Sequence, residues 1–428
     1  MSRTLRVAAC QLAAHDRSGF ERTWPAISER IREAGRNGAQ VIVLPEGTLP
    51  AYVLGGTRFE PSEIAGALND CVRLARELQA VIVTGAARSE GGRTFNSALV
   101  IDSDGRTAGY ADKHFLWHFD RQWFAPGERI EPVRTSAGVL GVLVCADGRI
   151  PLIARALVDR GAELLVMPTA WVTSGRDPQH LENIQADLLA RVRARENGVP
   201  FIAANKCGVE LGCVAYCGKS QILAADGSIV AAASEQNEEV IAGTVTIGQA
   251  APLRVAIDKS SERYALGTQA PLRVAISARA PGAMEAVAER LRIVEADLLV
   301  TPGGVMGVTE GAAVPLVWVD DPMILDPGGL AAHRLRGAQC AVWSTAMRDP
   351  WRIAFARARA IELRMYVIVM ENSVRAFAVD PDGATVCGTF GRYDIASFTF
   401  DPARTLQTLV APGTDVIRGL ERARTHAP

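Results

Sequence analysis

The sequence predicts an α/β protein with buried sheets. Two observations carry that prediction. Short apolar runs rich in β-branched residues, each stopped by Gly, Pro, Asp or Asn, recur along the chain. Between them lie segments whose apolar residues return at helical spacing, and such interleaving is the signature of packed sheet and helix layers. A third observation concerns chemistry. The run Gly138-Val139-Leu140-Gly141-Val142-Leu143-Val144 ends on Cys145-Ala146-Asp147-Gly148-Arg149, and Pro151 then suits the first turn of a helix. That layout places the Cys145 thiol near backbone N–H groups, where a thiol is activated and an oxyanion held. The plainer reading is a core cysteine ending a strand.

The elements follow in order. Leu5–Gln11 reads as a strand, Phe20–Asn37 as a helix stopped by Gly38, and Val41–Leu44 as a strand stopped by Pro45-Glu46-Gly47. Ile64–Gln79 reads as a helix and Val81–Ala86 as a strand; Ser97–Ile101 and Thr107–Ala111 form a hairpin around Asp102-Ser103-Asp104-Gly105. After the Cys145 strand comes helix Leu152–Arg160, then strand Leu164–Met167, helix His180–Asn197, strand Phe201–Asn205 and a hairpin around Ala225-Asp226-Gly227.

The bulk composition narrows the class. The chain has 428 residues, 48% hydrophobic and 22% charged, an ordinary globular mix long enough for two or three domains. Lys plus Arg number 46 and Asp plus Glu 47, a formal net charge of −1, so no electrostatic case exists for nucleic acid or an anionic membrane surface. No apolar run reaches the roughly 18–20 residues that span a bilayer. Val7–Ala14 contains Gln11 and meets His15-Asp16, which is no signal-peptide core. The eight cysteines form no dense framework, and the expectation is a reduced, cytoplasmic protein. Cys207, Cys213 and Cys217 lack the paired spacing of a zinc site and read as packing or loop cysteines.

The chain also repeats itself. Residues 251–270 read as a linker, and a short tandem duplication brackets it, Ala251-Pro-Leu-Arg-Val-Ala-Ile257 recurring as Ala270-Pro-Leu-Arg-Val-Ala-Ile276. Beyond it, strand Leu272–Ile276, helix Ala283–Ile293 and Leu298-Leu299-Val300-Thr301-Pro302-Gly303-Gly304 echo Leu5–Gly47, with Pro302-Gly303 opposite Pro45-Glu46. Arg336-Gly337-Ala338-Gln339 echoes Arg160-Gly161-Ala162-Glu163, and Pro381-Asp382-Gly383 echoes Ala225-Asp226-Gly227. Ala354–Arg364 reads as a helix and Tyr366–Met370 as a strand. The offset between echoes falls along the chain, so the second half is a shortened copy. The block expected to be missing corresponds to Thr94–Cys145, with Cys340 opposite the strand at Leu164.

Three polar residues of the first half end strands or sit beside them: Glu46, Lys113 and Cys145. Parallel strands present their carboxyl ends to one side, where sites gather. A carboxylate, an amine and a thiol meeting there suffice for acyl transfer: the thiolate attacks a carbonyl, the carboxylate moves protons, and the ammonium stabilises the oxyanion. The plainer alternatives are a helix-entry carboxylate for Glu46 and a solvated lysine for Lys113.

With these segments the sequence resembles the nitrilase, or carbon–nitrogen hydrolase, superfamily. The matching pieces are Leu44-Pro45-Glu46-Gly47, Ala111-Asp112-Lys113-His114 and Val144-Cys145-Ala146-Asp147-Gly148-Arg149. Supporting pieces are Phe95-Asn96-Ser97, Ala125-Pro126-Gly127, Pro168-Thr169-Ala170-Trp171, Arg193-Ala194-Arg195-Glu196-Asn197 and Ala204-Asn205-Lys206-Cys207-Gly208, all in the family's order. The resemblance implies an αββα sandwich, a Glu46-Lys113-Cys145 triad and a Cys145 thioester intermediate, with no metal or organic cofactor. It implies a catalytic domain over residues 1–250, the linker 251–270, and a truncated, catalytically dead nitrilase-like domain over 271–428 that forms an internal pseudodimer with the first. Further homo-oligomerisation stays open.

The chain also departs from the family. Many members carry a second glutamate between lysine and cysteine; here the nearest acid is Asp120, shorter by a methylene, with a plain surface role as the alternative. The residue after Pro151 is Leu152 where a glutamate is common. Ala146-Asp147-Gly148-Arg149 is closer to amide- and carbamoyl-cleaving branches than to nitrile-cleaving ones. Arg149 suits a substrate carboxylate or a scaffold acid. Trp117, Trp123 and Trp171 suit pocket walls or packing, and Ala146 lies beside the nucleophile. The expected function is hydrolysis of a small non-peptide amide or carbamoyl C–N bond, releasing ammonia or an amine. Acyl transfer through the same triad, nitrile hydrolysis, and a non-catalytic scaffold or binding protein are the alternatives.

Overall fold

The protein is described from a computed structural model. The structure describes residues 2–425, apart from 174, 176, 178, 249–251, 258–259, 280–283, 373 and 392–393. The chain divides into two compact units. The first holds residues 1–252 with 411–414 and 422–428, and the second holds 253–410 with 415–421.

In the first unit strands and helices alternate as the periodicity predicts: β1 (Arg3–Ala13), α1 (Phe20–Arg36), β2 (Val41–Val43), α2 (Ser62–Leu78), β3 (Val81–Glu90), β4 (Arg93–Ile101) and β5 (Thr107–Asp112). They are followed by β6 (Val133–Thr135), β7 (Gly138–Val142), α3 (Pro151–Asp159), β8 (Leu164–Pro168), α4 (Ala190–Asn197), β9 (Phe201–Ala204), β10 (Lys206–Glu210), β11 (Val214–Cys217), β12 (Gln221–Leu223), β13 (Ile229–Ala232) and β14 (Glu239–Ile247). One sheet runs β11-β10-β1-β2-β3-β4-β5, with β14 also on β1, and the other runs β13-β12-β9-β8-β7-β6. The two sheets face each other through β1, β2 and β3 against β8, β9 and β12.

Helices cover the outer faces. On α1 the stripe Phe20, Trp24, Ile27 and Ile31, and on α2 Ile64, Ala67, Cys71 and Leu74, pack with Ala8, Cys10, Ile42 and Ile82 of the sheet. Each large apolar side chain so buried contributes about 1.5–3 kcal/mol, which makes the stripe, not intrinsic propensity, the reason these helices form here. On the other side α3 lies against β7 and α4 against β9. The helix expected from His180 begins at Ile184. The Asn183 carboxamide oxygen accepts from Gln185 N (2.9 Å) and caps it, and a wider π-helical turn, Gln185–Leu189, leads into α4.

Cys207 and Cys217 stand opposite each other across the β10–β11 hairpin, and Cys213 is exposed near its turn. No helix among the described residues is long and apolar enough to cross a membrane.

The second unit carries β15 (Leu272–Ile276), α5 (Met284–Ile293), β16 (Leu298–Thr301), β17 (Gly304–Gly307), β18 (Leu316–Val319), α6 (Asp321–Leu325), α7 (Pro327–Leu335) and β19 (Cys340–Thr345). These lead into α8 (Trp351–Leu363), β20 (Tyr366–Glu371), β21 (Arg375–Val379), β22 (Thr385–Gly388) and β23 (Ala396–Phe400). The expected helix start Ala283 lies outside the described residues, as does the junction at 249–251.

Its sheets are β17-β16-β15-β23 and β18-β19-β20-β21-β22. Strands β18, β19 and β20 are mutually parallel, followed by antiparallel β21 and β22. The first unit has the same sequence of pairings in β7, β8, β9, β12 and β13. A strand, β18, and a short helical turn, α6, precede α7 in this unit. Pro327 opens α7 as Pro151 opens α3. The turn between β18 and α7 begins with Asp321-Pro322 and holds no cysteine.

Candidate active site

Glu46 owes its place to a tight turn after β2. Leu44 N–H donates to Val83 O (2.8 Å) and Gly85 N–H to Pro45 O (3.2 Å), while the Thr48 hydroxyl caps Pro45 O (2.7 Å). A Cβ at Gly85 would lie 2.4 Å from Pro45 O, so only glycine lets β3 approach this turn. Lys113 leaves the end of β5 with its N–H on Asn96 O (2.8 Å), and the Asn96 amide donates to Glu46 Oε1 (2.6 Å). One asparagine thus positions both groups, which explains the Phe95-Asn96-Ser97 match.

Lys113 Nζ lies 2.7 Å from Glu46 Oε1 and 2.7 Å from Asp120 Oδ2, and all three side chains are fully buried. Asp120 therefore reaches the lysine despite its short side chain. Its other oxygen accepts from Tyr52 OH (2.8 Å), and Trp117 N–H donates to Oδ2 (2.8 Å).

Cys145 opens a tight helical turn, Cys145–Arg149, at φ +46, a left-handed conformation that costs a non-glycine residue about 1–2 kcal/mol. Asp147 holds this turn. Its Oδ1 accepts from His114 N (3.0 Å) and Phe115 N (2.7 Å) and its Oδ2 from Val144 N (3.1 Å), so one carboxylate ties the cysteine turn to the lysine loop. Arg193 Nε donates to Gly148 O (3.0 Å) and pairs with Glu196 (2.6 Å), both fully buried. With the Gln185 amide nitrogen turned toward Cys145 O (2.9 Å), its oxygen accepts from Trp171 Nε1 (3.3 Å).

The electrostatics follow from burial. Burial pushes the Glu46 carboxyl above its usual range; Lys113 opposes the rise and Asp120 adds to it. Burial and then the Glu46 charge push the Cys145 thiol up, with Lys113 acting the other way. Burial pulls on Lys113 too, yet Asp120, Glu46 and Cys145 outweigh it and hold the ammonium well above the ordinary lysine value. Burial raises Asp147 to about 6 against three backbone donors. Taking three charges out of water is costly, and such a cluster is poor at adding stability. A thiol, a carboxyl with a raised pKa and a fixed ammonium in one dry place are the elements of nucleophilic acyl chemistry.

The remaining candidates occupy different positions. Ala146 is buried inside the cysteine turn. Arg149 lays its guanidinium over the Trp117 ring, 4.5 Å from the centroid, and forms no ion pair among the described residues. Its Nε is buried without a hydrogen-bond partner, and burial draws it down to about 10. Trp171 is buried with its backbone N–H on Asn205 Oδ1 (2.7 Å), next to Ala170, Tyr52 and Tyr216. Trp123 packs on Phe119 and the α1–α2 core instead.

Several participants escaped the sequence: Asp147, Gln185, Tyr52, and a second buried pair, Lys206–Glu210 (3.0 Å), whose Glu210 also accepts from Tyr216 OH (2.7 Å) and Val53 N (2.7 Å). Asp147 was visible as the acid two residues after the nucleophile; the others gave no local signal.

A fold of two facing sheets between helices, with this thiol, carboxylate and ammonium at one place, defines a carbon–nitrogen hydrolase of the nitrilase type. The family described as carbon-nitrogen hydrolase matches residues 6–255, and the chain belongs to it. A nitrilase of Pyrococcus abyssi is 30% identical over 227 residues, 51% of this chain and 82% of that protein. An N-carbamoylputrescine amidase of rice, Oryza sativa subsp. japonica, is 29% identical over 257 residues, 55% of this chain and 83% of that protein. The crystal structure of an amidase from Nesterenkonia sp. superposes with a TM-score of 0.51 at 25% identity, covering 56% of this chain and 89% of the other. The protein is thus an amidase- or carbamoylase-like enzyme of that superfamily, acting on non-peptide C–N bonds.

Proposed function

We propose that the protein hydrolyses a small non-peptide amide or carbamoyl compound through a thioester on Cys145. The observation that carries this reading is the contact of Lys113 Nζ with both Glu46 Oε1 and Asp120 Oδ2, 2.7 Å each, next to a buried thiol. Glu46 Oε2 is buried with no hydrogen-bond partner among the described residues, and so is free to take a proton.

In the first half-reaction Glu46 accepts the Sγ proton as sulfur bonds to the carbonyl carbon. The C=O pair moves onto oxygen, and Lys113 stabilises that oxyanion. The tetrahedral species collapses, the C–N bond breaks, and Glu46 returns the proton to the departing nitrogen, releasing ammonia or an amine. In the second, Glu46 takes a proton from water as it attacks the thioester. Collapse breaks the C–S bond, and the thiol leaves protonated with a carboxylic or carbamic acid as product. Asp120 holds Lys113 charged and aimed throughout. Neither half-reaction calls for a metal or an organic cofactor.

Arg149 anchors an anionic group on the substrate. A guanidinium stacked on Trp117, with no acid paired to it among the described residues, is the donor set for a carboxylate. Ala146 and Trp171 bound the space beside the nucleophile. A screen for ammonia release over neutral, cationic and carboxylate-bearing amides and carbamoyl compounds tests both claims. Turnover confined to carboxylate-bearing members, with KM raised at least tenfold in Arg149→Gln, is the expected result; turnover indifferent to both removes Arg149 from the binding site.

We further propose that the second unit is a shortened, inactive copy of the first and takes the place of a partner subunit. The common strand order and the helix-opening prolines support the copy. Gly303 stands opposite Glu46 in the sequence echo, and Asp321 opens the turn between β18 and α7 as Cys145 opens the turn between β7 and α3. Removal of residues 271–428 checks the partner role: a soluble, fully active 1–250 fragment counts against it.

A further inference from the structure

The loop from Lys113 to Gly127 carries both Lys113 and Asp120, and its ends are fixed locally. Gly127 N–H donates to Lys113 O (2.8 Å) and Ala125 N–H to Thr94 O (2.8 Å). Its middle is a tight turn closed on Asp120, whose N–H donates to Trp117 O (2.8 Å) and whose carbonyl accepts from Trp123 N (3.0 Å) and Phe124 N (2.8 Å). His118 lies at φ +42, in the left-handed region that residues with a Cβ avoid, two positions before Asp120.

What meets this strained point comes from nearly 300 residues further along the chain. His118 N–H donates to the hydroxyl of Thr414 (2.7 Å), which is fully buried. The Arg121 guanidinium donates to Gly413 O. Arg422 Nη2 donates to Gly127 O (2.6 Å), so Arg422 and Lys113 are joined by two successive hydrogen bonds through one glycine. Residues 411–414 and 422–428 belong to the first unit by their contacts, although they lie beyond the 6–255 span that the family match covers.

We propose that Thr414 and Arg422 are positioning residues for the reaction, holding the Lys113–Asp120 loop in its working geometry. This rests on the reading of Cys145, Lys113 and Glu46 as the catalytic site. A buried hydroxyl that fixes one strained N–H sets where the following turn points. That turn delivers the Asp120 carboxylate to Lys113. Without Thr414 the loop relaxes at His118, Asp120 draws away, and the ammonium no longer stands where the oxyanion forms. Small misplacements of this kind cost rate far more than binding. The candidate site is therefore completed by residues 413–414 and 422, which belong to the first unit but lie far beyond the family match in sequence.

The test uses the full-length protein and two readouts. The first is the rate of Cys145 alkylation by iodoacetamide, followed by peptide mass spectrometry, which needs no substrate. The second is kcat and KM on whichever amide the screen identifies. Thr414→Val, Arg121→Gln and Arg422→Gln are compared with wild type, and Thr414→Ser serves as the conservative rescue. Arg121 is exposed, so its variant keeps the test available if Thr414→Val fails to fold.

The expected result is Cys145 alkylation at least threefold slower and kcat about tenfold lower in Thr414→Val, with KM within twofold, an effect of the size that loss of orientation brings. Arg121→Gln and Arg422→Gln should show smaller changes of the same kind, and Thr414→Ser should recover most of the rate. Alkylation and kcat per folded molecule within twofold of wild type in all three variants would overturn the proposal, even where thermal stability falls. Failure of the hydrolase reading looks different: wild type itself would form no acyl adduct with any amide, while the alkylation comparison would still be readable.

Discussion

Two strand–turn–helix stretches of this chain are built alike and carry different residues in their turns. In the first unit β7 runs through Cys145-Ala146-Asp147-Gly148-Arg149 into α3; in the second β18 runs through Asp321-Pro322-Met323-Ile324-Leu325 into α7. Each turn is pinned by a buried arginine on the following helical layer. Arg193 Nε donates to Gly148 O (3.0 Å) and pairs with Glu196, and Arg359 Nε donates to Ile324 O (2.8 Å) and pairs with Glu362 (2.8 Å). The scaffold is common to both. The proposed chemistry sits in what surrounds it: the Glu46 turn, the Lys113–Asp120 loop and the left-handed Cys145, none of which has a counterpart around Asp321 among the described residues. In the second turn the Asp320 side chain caps Met323 N (3.2 Å) and Asp321 accepts from Trp343 Nε1 (2.9 Å), an arrangement suited to holding a helix start. On the proposed reading, the same fold element serves as a nucleophile mount in one place and as plain structure in the other.

The sharpest way to break this contrast is to remove each acidic or thiol group in turn. Cys145→Ala should lower kcat/KM by about 10⁴-fold or more, as loss of a covalent nucleophile does. Asp321→Asn should leave it within twofold. Steady-state kinetics on one substrate reads both, and equal losses would end the distinction between the units.

Next in size is Lys113→Met. It leaves Glu46 and Asp120 buried together without their cation, and breaking such a cluster costs about 3–5 kcal/mol, read as a lower urea midpoint, together with a rate loss of about 10³-fold. A Lys113→Met protein with wild-type turnover would remove the lysine from the oxyanion site.

The paired arginines come third. Arg193→Ala and Arg359→Ala should each destabilise by a similar amount, about 3–5 kcal/mol, because each removes the cation of a buried ion pair. Only Arg193→Ala should also lower kcat per folded molecule, since it alone pins the cysteine turn. Matching kinetic effects would show that the second turn feeds the site.

The smallest effect concerns pH. In the proposed mechanism Glu46 acts as a base only when ionised. Its pKa is raised in the folded protein, so activity is full above that raised value and falls as pH drops through it. The acid limb of kcat/KM should therefore stand above the ordinary glutamate range. In Asp120→Asn a like charge is gone, and the limb should move to lower pH while kcat falls about 10–100-fold. An acid limb at the usual glutamate value, unmoved in Asp120→Asn, would assign the base elsewhere.

The contrast also explains what could be read from the sequence. Strands such as Val41–Val43 and helices such as Phe20–Arg36 were legible because burial imposes a period on adjacent residues. Glu46, Lys113 and Cys145 were legible because each ends or flanks a strand in a characteristic order of segments. Asp120 was legible as a candidate, but its reach was not, since that depends on a loop bent at His118. The helix start at Ile184 was missed because a side-chain cap from Asn183 overrides the apolar pattern that begins at His180. Strand β18 was missed because Leu316–Val319 is four residues long and the turn after it has no cysteine to align. The links from Thr414 and Arg422 to the lysine loop leave no trace in the sequence, because contacts across nearly 300 residues impose no local pattern.

The central claim is that Cys145 is the one working nucleophile of this two-unit chain. It is tested most directly by acid-quenching the enzyme during turnover of a carboxylate-bearing amide and mapping acyl adducts by peptide mass spectrometry. The account predicts an adduct of the acyl mass on the Cys145 peptide alone, absent from Cys145→Ala. Turnover retained in Cys145→Ala, or an adduct on any other residue in its place, would contradict it.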